Sequence, residues 1–326
     1  MAIDMHSHYY GGLVDALRSR SLRPNVTTDG CGHSLLNAMT ASTVMTPGYT
    51  ELPARLAYLD RAGLTTQLLT FPGALGVDVM PIGDALGVVR DYNDHLAEIC
   101  RQSSGRFIGL GGLPLADMAQ AAVEMRRIRL SLGLAGAILP GNYFLSIATA
   151  ETLQPVMQVA NEAGALLMVH PGLMPGELSP QPYADNSVLR ASALNLQASL
   201  SHMALTLLTS GMLESYPNIV FQVVNLGGTL PFILERLEAV AYSRSLPVKV
   251  TRSDLRRLVF DCASLGPRAI ELAVNVVGAD RIMLGTDYPI FEPSDVLASV
   301  AEARINDADK QSIVNGTAAI VLSQLV

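Results

Sequence analysis

Two histidines, His6 and His8, stand two residues apart near the start of the chain, directly after the apolar run 3–5. In an extended strand, residues i and i+2 point to the same side, so both imidazoles can converge on one point. His170 closes the apolar run 165–169, and Asp287 follows the run 282–285 in Leu284-Gly285-Thr286-Asp287-Tyr288-Pro289. Each has an ordinary structural explanation when taken singly. The His-Ser-His stretch reads as polar residues near a turn, His170 as a hydrogen-bonded core histidine, and Asp287 as the cap of a following turn. Taken together they are three imidazoles and a carboxylate, all at the ends of apolar runs. That is a ligand set for zinc or a related divalent ion, with a coordination position left open.

Such a set needs elements that bring distant residues to one place. Eight short apolar runs recur along the chain, at 3–5, 67–71, 107–113, 135–139, 165–169, 219–224, 258–261 and 282–285. Most are apolar throughout, as expected for strands covered on both faces. Amphipathic segments at 54–62, 82–103, 118–131, 150–163, 193–210, 229–243 and 267–277 separate them. Alternating strands and helices predict a parallel sheet, and eight such units predict an α/β fold of the single (β/α)8 TIM-barrel type. An open doubly wound sheet is the alternative if the strand number is seven or nine. No linker divides the chain, so residues 1–326 read as one barrel domain. Two connections are long, residues 9–53 after the first strand and 171–190 after the fifth. Both are expected as lids or binding loops on the C-terminal face, where barrels do their chemistry.

Composition agrees with a large buried interior. Hydrophobic residues make up 49% of the 326 residues and charged residues 16%, against ~25% charged in typical soluble domains. The net charge of −7 argues against nucleic-acid partners, and no run approaches the ~18 apolar residues of a membrane span. The N-terminus lacks a basic region followed by an apolar run, and Cys31, Cys100 and Cys262 form no CxxC pair. A cytoplasmic protein without a disulfide framework is therefore expected. Phosphate-loop, dinucleotide-loop and serine-nucleophile motifs are absent from the sequence.

The stretches around these residues resemble the amidohydrolase superfamily in its amidohydrolase-2 branch, which includes aminocarboxymuconate-semialdehyde and 6-methylsalicylate decarboxylases. The resemblance rests on Ile3-Asp4-Met5-His6-Ser7-His8, Met168-Val169-His170-Pro171, Leu207-Leu208-Thr209-Ser210-Gly211, Gly227-Gly228-Thr229-Leu230-Pro231 and Leu284-Gly285-Thr286-Asp287-Tyr288-Pro289. It implies a barrel with one catalytic divalent ion, usually zinc (Mn2+ as the alternative), on His6, His8, His170 and Asp287. It also implies a small-molecule substrate and a homodimer. One position departs from the branch. Where relatives carry a histidine after the sixth strand, this chain has Asn225 in Val224-Asn225-Leu226-Gly227-Gly228. Asparagine can orient a water or a substrate oxygen but cannot act as a general base. Either Asp287 then does all the proton transfer, or another histidine substitutes, or the chemistry differs from that of the best-known relatives.

His202, on the helix before the sixth strand, is the candidate substitute, against a plain reading as a partly buried helix residue. His33, in Gly30-Cys31-Gly32-His33, reads as a surface-loop histidine or one reaching in from a lid; His95 receives no role. Arg55, just before the second strand, corresponds to an arginine that in relatives can hold a substrate carboxylate, and a guanidinium suits that contact. Tyr9 and Tyr10 can wall the pocket, as can Asn142 and Tyr143 after the fourth strand.

The expected reaction is metal-dependent decarboxylation of a small aromatic or unsaturated carboxylic acid, with Asp287 passing the proton. The alternatives are hydrolysis of an amide, lactone or related bond by a metal-bound hydroxide, and a non-catalytic binding barrel.

Overall fold

In the computed structural model, which describes residues 2–39, 41–178, 189–246 and 250–325, the eight apolar runs are eight parallel strands. They are β1 (Ala2–His8), β5 (Leu64–Thr70), β6 (Phe107–Gly111), β7 (Gly136–Pro140), β8 (Leu166–His170), β9 (Val220–Val223), β10 (Val259–Asp261) and β11 (Ile282–Met283). They lie side by side in that order, β1-β5-β6-β7-β8-β9-β10-β11. The two ends of the sheet meet. Met5 N–H bonds to Leu284 O at 2.8 Å, His8 N–H to Tyr288 O at 2.8 Å and Asp287 N–H to His6 O at 2.7 Å. These bonds close the sheet into a (β/α)8 barrel. They also bring the first and last candidate ligands, 281 positions apart in number, to one seam.

Strands such as β8 are apolar throughout because both faces are covered, and every residue of β8 is buried. Outside the sheet lie the helices α1 (Leu52–Ala62), α2 (Ile82–Gln102), α3 (Met118–Leu130), α4 (Gln154–Ala163), α5 (Leu196–Thr209), α6 (Leu230–Ser243), α7 (Pro267–Val277) and α8 (Pro293–Glu302). Local chemistry sets their starts. Asp117 caps α3 by accepting the N–H groups of Ala119 and Gln120. Proline stands in the first turn of α1, α4, α6 and α7, where its missing N–H costs nothing.

Three differences from expectation follow from local sequence. The amphipathic stretch 150–163 is two helices, Ile147–Glu151 and α4, because Pro155 fits only a first turn. The helix α8, after the eighth strand, was not expected. The connection 9–53 is not a bare loop. It holds a three-stranded antiparallel sheet of β2 (Asn25–Thr28), β3 (Ser34–Asn37) and β4 (Ser42–Val44). These strands are short and largely polar, with only Asn25, Val26 and Leu36 buried, so no apolar run announces them. Of the second long connection, residues 179–188 lie outside the described residues. Among the described residues no helix is long and apolar enough to cross a membrane.

Candidate metal centre

The side chains of His6, His8, His170 and Asp287 meet at the C-terminal end of the barrel. One ligand-type atom from each lies within 4.8 Å of the others. The three rings stand nearly perpendicular to one another, with centroids 4.7–5.3 Å apart. Each ring has Nδ1 tied to the scaffold. His6 Nδ1 lies 3.1 Å from Asp261 Oδ1, His8 Nδ1 2.7 Å from Thr70 Oγ1 and His170 Nδ1 3.0 Å from Pro171 O. Fixing Nδ1 in this way leaves Nε2 as the free ring nitrogen, as in metal-binding histidines.

The carboxylate arrives from a strained turn. Asp287 has φ +57°, the left-handed region that a non-glycine residue adopts only under surrounding constraint. Its N–H bond to His6 O supplies that constraint. Asp287 Oδ1 lies 3.1 Å from His8 Nε2 and 3.6 Å from His6 Nε2. These are contact distances without hydrogen-bond geometry: both His6 Nε2 and Asp287 Oδ1 are buried and unsatisfied. Buried polar atoms without partners are costly. A cation between them would satisfy both, so the residues present fit a divalent ion.

Beneath the cluster lies a layer of buried polar groups that was not anticipated. Asp261 is the hub. Besides His6, its Oδ1 accepts the N–H groups of Asn225 and Ala263, each at 3.2 Å, and its Oδ2 accepts Gln222 Nε2 at 2.8 Å. Asp4 accepts the His6 N–H (3.1 Å), Thr286 N–H (3.0 Å), Thr286 Oγ1 (2.7 Å) and Gln67 Nε2 (2.7 Å). Gly285 makes room for this packing: a Cβ there would stand 2.8 Å from Asp261 Cβ and 2.9 Å from His6 Cβ. Asp261 closes the seventh apolar run just as His170 closes the fifth, so the same positional criterion would have found it. Asp4 shares the alternation of His6 and His8.

The electrostatics follow from burial and these neighbours. Burial disfavours the His6 imidazolium, but Asp261, Asp287 and Asp4 outweigh it and carry its pKa up to about 9. Burial holds His8 and His170 below the ordinary histidine value, with the other rings of the cluster adding to the effect. Burial alone would raise Asp287, yet His6, His8 and His170 keep it below the usual carboxylate range. The cluster thus presents neutral His8 and His170 and an ionised Asp287, as metal ligation requires, while His6 gives up its proton when a cation binds.

Other candidates fall on both sides of expectation. Asn225 is at the site's edge, with φ +53°, its N–H on Asp261 and its Nδ2 donating to Ser264 Oγ at 2.8 Å. His202 stands apart from the four clustered residues. It is exposed on α5 while its neighbours Ser201 and Met203 face inward, because a one-residue step on a helix turns a side chain by about 100°. Arg55 is fully buried, and its two Nη groups are taken by Ser7 Oγ, Gln67 Oε1, His8 O and Gly48 O. Its Cζ lies over the Tyr288 ring, 4.8 Å from the centroid. It braces β1 and the Asp287 turn and has no Nη donor left for a substrate carboxylate. Tyr9 points away from the cluster, its hydroxyl on Thr50 O at 3.2 Å. Tyr10 is buried, and burial raises the pKa of both Tyr10 and Tyr49, with Asp287 adding to it in each. Asn142 gives its Nδ2 to Glu177 at 2.8 Å, and Tyr143 is buried beside it.

Sequence inspection also missed Asp78. It lies in the connection after β5, is 1% exposed, and neither carboxyl oxygen has a partner. Burial drives its pKa up to about 8. A cleft of about 560 Å³ lies at the opposite end of the barrel, lined by Gly164, Asn218 and Leu325, and holds none of these groups.

Residues 3–323 match the model of the amidohydrolase family. The 2-amino-3-carboxymuconate-6-semialdehyde decarboxylase of Dictyostelium discoideum is 27% identical over 275 residues, covering 81% of this chain and 74% of that protein. The gamma-resorcylate decarboxylase of Rhodococcus jostii is 25% identical over 284 residues, covering 81% and 85%. Among solved structures, 5-carboxyvanillate decarboxylase of Novosphingobium aromaticivorans, complexed with manganese, superimposes with a TM-score of 0.77 at 19% identity, over 99% of this chain and 96% of that one.

Proposed function

The chain belongs to the amidohydrolase family, and on that premise we propose that it is a metal-dependent decarboxylase of a small aromatic or unsaturated carboxylic acid, acting as one barrel domain over residues 1–326. The observation that carries this reading is the buried meeting point of His6, His8, His170 and Asp287, with unsatisfied Nε2 and Oδ1 atoms facing each other. The relatives add support for the reaction class, since those described above are named decarboxylases of carboxylic acids.

In this reading the four residues hold one divalent ion, zinc or manganese. Bound there, such an ion supplies a Lewis acid that draws electron density toward a substrate oxygen. Asp287 relays the proton: it takes one from solvent and hands it to the carbon that loses carbon dioxide. The C–C electron pair stays on that carbon, carbon dioxide leaves, and a C–H bond forms. Asn225, held by Ser264 and Asp261, orients the substrate and transfers no proton, because a carboxamide is no base at ordinary pH. Tyr10 and Tyr49 wall the pocket. Asp261 and Arg55 act through the cluster as positioning residues.

A homodimer in a reducing, cytoplasmic setting belongs to the same proposal. Its support is the exposed apolar surface of Phe232, Val240 and Tyr242 on α6, with Ile147 and Leu246, and three free cysteines. Sedimentation at micromolar concentration distinguishes dimer from monomer.

The reaction is tested on metal-loaded protein with aromatic and unsaturated carboxylic acids beside amides and lactones. Carbon dioxide release with loss of the carboxyl group is the expected result. Hydrolysis without carbon dioxide overturns the reading.

A further inference from the structure

The turn joining β2 to β3, Asp29-Gly30-Cys31-Gly32-His33, gathers a second set of ligand-type side chains. A carboxylate oxygen of Asp29, the thiol sulfur of Cys31 and a ring nitrogen of His33 all lie within 4.8 Å of one another. Asp29 Oδ2 is 3.1 Å from His33 Nδ1. The backbone holds them there. Asp29 Oδ1 accepts the N–H groups of Cys31 and His33, each at 2.8 Å, and Asp29 N–H bonds to His33 O at 3.0 Å. The intervening glycines leave the approach clear, since a Cβ on Gly30 or Gly32 would meet no atom within 4 Å. Gly32 also takes φ +87°, which folds the chain back over the cluster. Cys31 is an exposed free thiol.

We propose that this turn is a second metal site, in which Asp29, Cys31 and His33 ligate one thiophilic divalent ion of the zinc type. The donor set decides the class of ion. Thiolate with imidazole suits zinc, cobalt or cadmium, whereas magnesium, calcium and manganese favour all-oxygen shells. Three protein ligands leave a fourth tetrahedral position for water. Binding replaces the thiol proton: the S–H bond breaks, the sulfur–metal bond forms and the proton goes to solvent. All three ligands come from one five-residue turn, so little chain must be ordered to close the site. The barrel centre has no sulfur donor, and Cys100 and Cys262 are intermediate and buried, so a sulfur signal reports on this turn.

The probe is cobalt(II) alone, added to metal-stripped full-length protein. A near-ultraviolet sulfur-to-cobalt charge-transfer band is expected. It should survive in the His6→Ala/His8→Ala variant and vanish in Cys31→Ser. Zinc should independently slow iodoacetamide alkylation of Cys31 about tenfold when its concentration is about ten times its Kd, and His33→Ala should remove most of that protection. No band and no protection, or a band that persists in Cys31→Ser, overturns the proposal. Asp29 would then serve only as the acceptor that shapes the turn.

Discussion

Two histidine–carboxylate pairs in this molecule have the same spacing and different surroundings. His6 Nδ1 lies 3.1 Å from Asp261, and His33 Nδ1 lies 3.1 Å from Asp29. The first pair is wholly buried at the head of the barrel. In the second, the His33 side chain is 60% exposed. Distance alone therefore says little about what such a pair does. In water the attraction is screened and adds little. Inside, neither charge can be rehydrated, so Asp261 is bound to four donors and His6 can only face the cluster. Burial turns an ordinary contact into a positioning device, whereas the exposed pair is built by one local turn and depends on its surroundings for little.

That contrast is sharpest where the buried cluster is cut. Removing a ligand with His170→Ala, or the proton carrier with Asp287→Ala, should reduce activity by ~10³-fold or more. Elemental analysis should show metal content falling with it. Leaving the ligands and altering only the support, Asp261→Asn should weaken metal affinity ~10–100-fold, read by competition with a chelator, with the barrel still folded by circular dichroism. An Asp261→Asn protein that binds metal like the parent would mean that the buried pair is no more directive than the exposed one.

Asp78 tests burial without a partner. Its folded pKa of about 8 lies above the ordinary 3.8, so between those values the folded chain holds a proton that the unfolded chain releases. Stability from this group is present below pH ~4 and is lost as pH rises through about 8, by at most ~6 kcal/mol. Asp78→Asn should flatten that slope and raise the melting temperature more at pH 8 than at pH 5. Equal shifts at both would show the carboxyl to be solvated. The smallest effect belongs to the exposed pair: Asp29→Ala should leave the denaturant midpoint of metal-free protein nearly unchanged, measured by denaturant titration. A marked drop in that midpoint would show the hairpin to be braced as firmly as the barrel.

The barrel and the four clustered residues were legible in sequence for one physical reason. Strands covered on both faces read as unbroken apolar runs, and a polar residue at the end of such a run stands out, as His170 and Asp287 do. The supporting layer was less legible. Gln222 and Gln67 lie inside strands and look like stray polar residues until their carboxylate partners are known, and those partners are 39 and 63 positions away. Arg55 shows the converse. Its type and position suit a substrate carboxylate, and only the fold reveals that backbone carbonyls and side-chain oxygens already occupy its Nη groups. The hairpin β2–β4 was hidden because a mostly solvated sheet needs no apolar pattern.

The central claim is that the buried cluster is the metal centre. Anomalous diffraction at the manganese edge, from crystals of manganese-loaded protein, tests it most directly. One peak is expected, with His6, His8 and His170 bound through Nε2 and Asp287 through a carboxylate oxygen. A fully loaded crystal with no peak there, or with its peak on other residues, would contradict it.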